Sequence, residues 1–494
     1  MLYKSTRNSN VKVTAAEAIS KGISDDGGLF VPEYIPKFTE NDFNELKTLD
    51  YIGIAKKVLE RYLDDFTGEE LDYCVKGAYS GTFDNDEPAP LYKLEDGKYI
   101  LELWHGPTCA FKDLALQLLP YLLTTSAKKV NKGKAVILVA TSGDTGKAAL
   151  EGFCDVENTE IMVFYPNNGV SPMQKLQMDT QKGKNVFVCA INGNFDDAQS
   201  SVKTIFTDNE TKNILRENGM EFSSANSINW GRLVPQIVYY VASYCNLLKD
   251  GADLSDGFDI VVPTGNFGNI LAAYYAKEMG VPVRRLVCAS NANNVLTDFI
   301  KTGKYDRNRE FFTSVSPSMD ILISSNLERM VYHLLNNDAK QSAAYQKSLS
   351  ETGEYTVASE VFEKLKALYF GGCCDDEKTL KTIKEVYDKY NYLCDTHTAV
   401  AVSVADDYKK VEGNNRPVVI ASTASPYKFA ASVLKAIEPD VNMDDEFKMV
   451  EKLSKITGTK VPEPIMNLNT ATVRFNNVCE KKDIKSVVLK NLGL

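Results

Sequence analysis

The chain has 494 residues, 44% hydrophobic and 25% charged, the balance of a soluble globular protein with length enough for two or three domains. Its formal net charge of −10 speaks against nucleic acid as a main partner, because such binders concentrate positive charge, but it leaves room for an anionic small-molecule substrate held by a few local donors. No apolar run approaches the length of a membrane span, so no membrane partner is expected.

Residues 1–22, MLYKSTRNSNVKVTAAEAISKG, show neither an apolar core nor a cleavage pattern, and no secretory leader is expected there. FNELKTLDYIGIAKKVLERYL (43–63) places apolar residues at helical spacing and predicts a small, mostly helical N-terminal domain over residues 1–85. FDNDEPAPLYKLEDGKYI (83–100) clusters acids and prolines and marks the boundary. Beyond it strand and helix patterns alternate. AVILVA (135–140), EIMVFYP (160–166), NVFVCAI (185–191), FDIVVP (258–263), RRLVCAS (284–290) and RPVVIAS (416–422) are strand-like runs without polar alternation. Such strands, interleaved with helices, predict parallel sheets covered on both faces, an α/β region spanning 86–436. Residues from about 300 to 395 are more helical and charged and read as an insertion; 437–494 read as a polar C-terminal extension with no visible chemistry. The ten cysteines are scattered without paired CxxC spacing, so no metal site is expected, and reduced thiols in a cytoplasmic protein are the expected state.

In open α/β sheets ligands bind at the carboxyl ends of the strands, which directs attention to the strand-to-helix loops. In PTGNFGN (263–269), Gly265 and Gly268 flank Asn266 and Phe267 just before a helix, a pattern that lets backbone N–H groups converge on a phosphate, or that simply turns the chain. TSGDTGK (141–147) lacks two positions of a nucleotide-binding P-loop, since Thr141 and Ala148 stand where Gly and Ser/Thr are needed. It offers hydroxyls and helix N-terminal amides to a carboxylate, or a helix capped by Ser142. In ASTASPYKF (421–429), Thr423 stands at a strand end, where helix capping is the plain alternative. Lys112 lies in a long apolar stretch, LELWHGPTCAFKDLALQLLPYLL (101–123). Burial disfavours the ammonium form and makes an amine nucleophilic toward an aldehyde; the other use of such a lysine is structural, paired with Asp113 or a backbone carbonyl. A buried lysine, a phosphate cradle and a carboxylate-type loop on one α/β scaffold together suggest pyridoxal 5'-phosphate.

HGPTCAFKD (105–113), TSGDTG, GNFGN, NSINWGR (226–232) and STASPYKF resemble, in this order, stretches of the threonine synthases, and the opening YKSTR…AISKGISDDGGLFVPE resembles their N-terminal domain. The resemblance spans nearly the whole chain. It implies two open parallel-sheet lobes of the tryptophan-synthase-β-like pyridoxal-phosphate fold. The activity it implies is conversion of O-phospho-L-homoserine and water to L-threonine and phosphate. By the same resemblance Lys112 is bound to the cofactor aldehyde and catalytic; Gly265, Asn266, Phe267, Gly268 and Asn269 bind the cofactor phosphate; Thr423 faces the pyridine nitrogen. The 141–146 loop, with Ser142, Gly143 and Thr145, holds the substrate carboxylate. Related enzymes of the wider fold class often carry Asn where this chain has Asp144; an ionised Asp there would repel both the cofactor's phenolate oxygen and the substrate carboxylate, so the resemblance assigns Asp144 no role. For the substrate phosphate Arg232 is the candidate, because a guanidinium grips phosphate bidentately, with Asn226 and Ser227 assisting; a helix salt bridge is its alternative use. His105 and His397 are expected to be structural. A phospho-lyase releasing a keto acid and ammonia shares the cofactor and differs in outcome. The expected state is a cytoplasmic monomer or homodimer.

Overall fold

A computed structural model describes the chain apart from Ser142 and Gly169, and without the side chains of Phe195 and Asp196. Two parallel sheets carry the loops singled out above. The larger has six strands, in the order Tyr369–Cys373, Val283–Ser290, Phe258–Pro263, Val418–Ser422, Lys98–Glu102, Leu91–Glu95, and only the last pairs antiparallel. The smaller has five parallel strands, in the order Asn477–Glu480, Val186–Asn192, Thr159–Pro166, Lys134–Ala140, Met220–Ser223. Phe258–Pro263 and Val418–Ser422 are buried at every position, which is why their sequences show no polar alternation.

The N-terminal region folds as four helices, Ala15–Lys21, Glu40–Leu46, Tyr51–Tyr62 and Gly68–Tyr79. Three of them start at capping boxes, where Thr14, Thr39 and Thr67 pair reciprocally with Glu17, Asp42 and Glu70. It also contains a three-stranded antiparallel sheet of Asn8–Val13, Tyr3–Ser5 and Phe30–Pro32. Two of these strands have three residues, too few to show a period in sequence. Tyr3 and Tyr62 pack their rings on Trp230, at the start of the long buried helix Trp230–Lys249, and so seat this region on the α/β body.

Inside the stretch expected as a helical insertion, Tyr369–Cys373 is the edge strand of the larger sheet. The stretch expected as an extension is built into the smaller lobe. Asn477–Glu480 adds its outer strand, and Arg474 donates to the carbonyls of Gln181 at 2.6 Å and Gly183 at 3.0 Å. Among the described residues no helix is long and apolar enough to cross a membrane.

Candidate active site

The loop that follows Lys98–Glu102 is held mainly by its own hydrogen bonds. Thr108 donates to Asp113 through both its N–H, at 2.8 Å, and its hydroxyl, at 2.6 Å. Cys109 takes a left-handed φ of 57°, and its carbonyl accepts from the Ser425 N–H at 3.0 Å. The Phe111 N–H donates to the Thr423 carbonyl at 2.9 Å, beside a bridge between Ala110 and Ala424. These bonds zip the 423–425 loop, with buried Thr423, to the loop that ends at Lys112.

Lys112 begins the helix Lys112–Leu116, and its side chain is 12% exposed. Its amine lies 3.6 Å from Oδ2 of Asp144, not beside Asp113, whose oxygens are engaged by Thr108. Burial lowers the Lys112 pKa; Asp144 opposes the shift, and the charges of Lys428 and Arg232 add to it. Asp144 is buried and is a shared acceptor. Lys428 Nζ lies 2.9 Å from its Oδ1, Gln174 Nε2 donates to Oδ1 at 3.1 Å, and the Ser318 hydroxyl donates to Oδ2 at 3.3 Å. Burial alone would raise its pKa, but the charges of Lys428 and Lys112 and the bonds from Lys428 and Gln174 hold it well below the usual carboxylate range. Asp144 is therefore the counter-ion of two buried amines.

The 264–267 loop follows Phe258–Pro263 and ends at the helix Gly268–Glu278. Phe267 has φ 63°, a left-handed conformation uncommon outside glycine, and it turns the chain sharply into the helix. A Cβ on Gly265 would lie 2.8 Å from the Ser318 carbonyl, so only glycine fits there. Carbonyls in this loop are tied back: Gly265 accepts from the Ser324 hydroxyl at 2.8 Å, and Asn266 from the Asn326 N–H at 3.0 Å. The N–H groups of residues 265, 266, 267 and 268 donate to no protein acceptor among the described residues. Asn269 accepts from the Tyr240 hydroxyl, while its buried Nδ2 has no partner. This is a ready anion cradle at a helix N-terminus.

In the 141–147 loop, Thr141 does work that its sequence did not reveal. Its hydroxyl oxygen accepts from the N–H groups of Gly143 and Gly146, both at 3.0 Å, which commits the Gly143 N–H to the loop itself. Thr145 is half-buried at the start of the helix Asp144–Gly152, and Ser142 lies outside the described residues.

Arg232 is buried in the first turn of Trp230–Lys249. It makes no salt bridge among the described residues, which removes the ion-pair alternative. Its Nη1 donates to the Ala225 carbonyl at 2.6 Å, its buried Nε has no partner, and burial pushes its pKa down to about 10. Asn226 is exposed, and Ser227 sits half-buried with its carbonyl accepting from Asn326 Nδ2 at 3.1 Å. Asn326 thus joins the Ser227 loop to the Asn266 loop, and no local pattern in the sequence marked it.

His105 is clamped between Asp84 at 2.6 Å and Glu102 at 2.9 Å. Burial would lower its pKa, but these two partners raise it to about 9, so it is protonated at neutral pH. His397 Nε2 accepts from the Ser318 N–H at 3.2 Å and its Nδ1 lies 2.7 Å from Asp395, which places the proton on Nδ1. Both histidines position loops. Lys112 and Lys428 both lie beside the buried Asp144 carboxylate, and the charge of buried Arg232 reaches Lys112, a surplus of basic groups that favours anionic ligands. Gln174, Ser318 and Lys428 were not among the expected site residues. Only Lys428 carried a signal in sequence, a lysine inside the conspicuous STASPYKF stretch.

The profile described as "Pyridoxal-phosphate dependent enzyme" matches residues 84–423, "Threonine synthase N terminus" matches 2–79, and "Threonine synthase, C-terminal" matches 398–487. Threonine synthase-like 1 from Pongo abelii is 41% identical over 434 residues, covering 86% of this chain; the chain spans 58% of that relative's length. Threonine synthase from Schizosaccharomyces pombe is 36% identical over 481 residues, covering 91% of this chain and 92% of its own. A PLP-bound threonine synthase from Brucella melitensis superposes with a TM-score of 0.89 at 34% identity, over 99% of each chain.

Proposed function

Because the chain belongs to the threonine synthase family of pyridoxal-phosphate-dependent enzymes, we propose that it converts O-phospho-L-homoserine and water to L-threonine and phosphate, as a carbon–oxygen lyase acting on phosphate. The observation that carries this reading is the meeting, in one buried site, of a depressed lysine amine, four unengaged backbone N–H groups and a guanidinium without a carboxylate. The residues fit the cofactor. Lys112 would hold its aldehyde, Gly265, Asn266, Phe267 and Gly268 its phosphate through their N–H groups, and Asn269 would offer its orphaned Nδ2 to the same group. Thr423, fixed beside Lys112 by the 110–111 pairing, would meet the pyridine nitrogen with a neutral hydroxyl.

When bound, pyridoxal phosphate supplies an electron sink for negative charge at the substrate Cα. The chain's own residues do the rest. Arg232 grips the substrate phosphate, with Asn226 and Ser227 just before the same helix, and Thr145, at the start of the helix Asp144–Gly152, offers its hydroxyl to the substrate carboxylate. Lys112 Nζ takes the proton from Cα and relays protons among Cα, Cβ and Cγ, a task suited to an amine whose pKa burial lowers. Overall, the Cγ–O bond to phosphate breaks, the oxygen of water bonds to Cβ, and a hydrogen passes to Cγ. Water must be admitted late, and the site lies where the lobes meet. Closure of the lobes around Asp144 would exclude it.

A cytoplasmic setting belongs to this reading, supported by ten free thiols. The test is product analysis. Purified protein supplied with pyridoxal phosphate and O-phospho-L-homoserine should yield L-threonine and phosphate in equal amounts. Release of 2-oxobutyrate and ammonia instead would assign it to the phospho-lyases.

A further inference from the structure

Lys428 has no part in the reaction so far, yet its side chain is only 1% exposed and is held from two sides. Its Nζ donates to the Thr108 carbonyl at 2.8 Å and lies 2.9 Å from Asp144 Oδ1. Three strand-end loops therefore meet at one amine: the Lys112 loop through Thr108, the smaller lobe through Asp144, and the 423–428 segment itself. An unpaired lysine at such a depth would be costly, so its pairing is a defined feature of the site.

The pairing answers a conflict. Pyridoxal phosphate carries its phenolic oxygen on the ring carbon next to the aldehyde. Any amine bonded to that aldehyde brings the oxygen beside itself. The neighbour of the Lys112 amine is an ionised carboxylate, Asp144, at 3.6 Å. Carboxylate and phenolate repel, and burial strengthens the repulsion. A neutral amide at position 144 would avoid this. A carboxylate avoids it only with a cation of its own.

We propose that Lys428 is a positioning residue whose ammonium compensates Asp144, so that the pair faces the cofactor's phenolic oxygen as a nearly neutral dipole. This rests on the assignment of Lys112 as the cofactor-bearing residue. The other charged and titratable groups around the pair are few. Lys112 feels Asp144, Lys428 and Arg232, while Lys428 acts in turn on Asp144, Asp113 and Cys109. Gln174 and Ser318, the remaining partners of Asp144, are neutral, and behind Ser318 stand His397 and Asp395.

The experiment is an absorbance titration of the reconstituted holoenzyme from neutral to alkaline pH, following the chromophore formed by cofactor and lysine. Lys428→Met leaves Asp144 uncompensated, favours the protonated chromophore and should raise the midpoint by about one pH unit or more, the scale of a charge in contact range. Lys428→Arg keeps the charge and should hold the wild-type midpoint. Asp144→Asn removes the anion, leaves Lys428 unopposed and should lower the midpoint. An unchanged midpoint in Lys428→Met, or shifts of the same sign in Lys428→Met and Asp144→Asn, overturns the proposal. Should Lys428→Met fail to fold, Asp144→Asn decides alone, and a midpoint that stays or rises overturns it. A chromophore that survives Lys112→Ala instead overturns the Lys112 assignment, an outcome read without any Lys428 variant.

Discussion

The Lys112 amine and the Asp144 carboxylate lie 3.6 Å apart, each on the first residue of a helix, one after a strand of the larger sheet and the other after a strand of the smaller. The two lobes thus touch, residue to residue, at the Lys112 amine. Lys112→Ala should abolish the visible absorbance of the reconstituted protein and lower turnover by about 10³-fold or more, the scale of a lost general base that also anchors the cofactor. Spectra and steady-state rates check this, with circular dichroism expected to stay native.

Arg232 donates to one carbonyl, and its Nε is buried without a partner. If it holds the substrate phosphate, Arg232→Met should raise KM by about 10- to 100-fold, as expected for a charge-assisted hydrogen bond worth about 1.5–3 kcal/mol, and should weaken competitive inhibition by inorganic phosphate. The variant's unfolding temperature should hold or rise, since it removes a buried cation without a carboxylate partner. An unchanged KM would place the substrate phosphate elsewhere.

Asp113 is buried, and burial raises its carboxyl from 3.8 to about 6 despite two hydrogen bonds from Thr108. Between these values the unfolded chain has released the proton while the folded chain keeps it. Stability from this group is therefore lost as pH rises from about 4 to about 6, by about 3 kcal/mol at most, and is level above. Asp113→Asn lacks this dependence. Its stability relative to the parent protein should climb across that window in urea titrations at stepped pH, and a constant difference would show that Asp113 does not titrate there.

Gly143 has φ 144°, and a Cβ on it would lie 2.4 Å from the Gln174 side chain. Gln174 is the residue that donates to Asp144 Oδ1 at 3.1 Å. Gly143→Ala should cost about 1–3 kcal/mol of stability through backbone strain, and it should also push Gln174 off Asp144. Thermal unfolding measures the first effect. The second should appear as a fall in kcat, and a variant with parental kcat would show that the Gln174–Asp144 bond has no bearing on rate.

Much of the frame was legible from short-range patterns. FDIVVP (258–263) coincides with the strand Phe258–Pro263 because a strand buried on both faces has no reason to alternate. Lys112 stood out because an amine in an apolar run is anomalous. The three-residue strands Tyr3–Ser5 and Phe30–Pro32 were not legible, nor was Asn477–Glu480, whose place is set by pairing with a strand almost 300 positions earlier.

The sequence by itself determined which loops stand at strand ends and which residue types they offer, because periodicity, glycine placement and helix starts are local properties. Only the tertiary structure decided which charges face one another. Lys428 reaches Thr108 across 320 positions, and Ser318 reaches Asp144 across 174. Asp144, the residue that the family resemblance made awkward, is the acceptor on which two lobes and two amines converge. The physical reason is that a charge's partners and its pKa depend on what packing removes from water, and packing is settled by contacts between residues far apart in the chain.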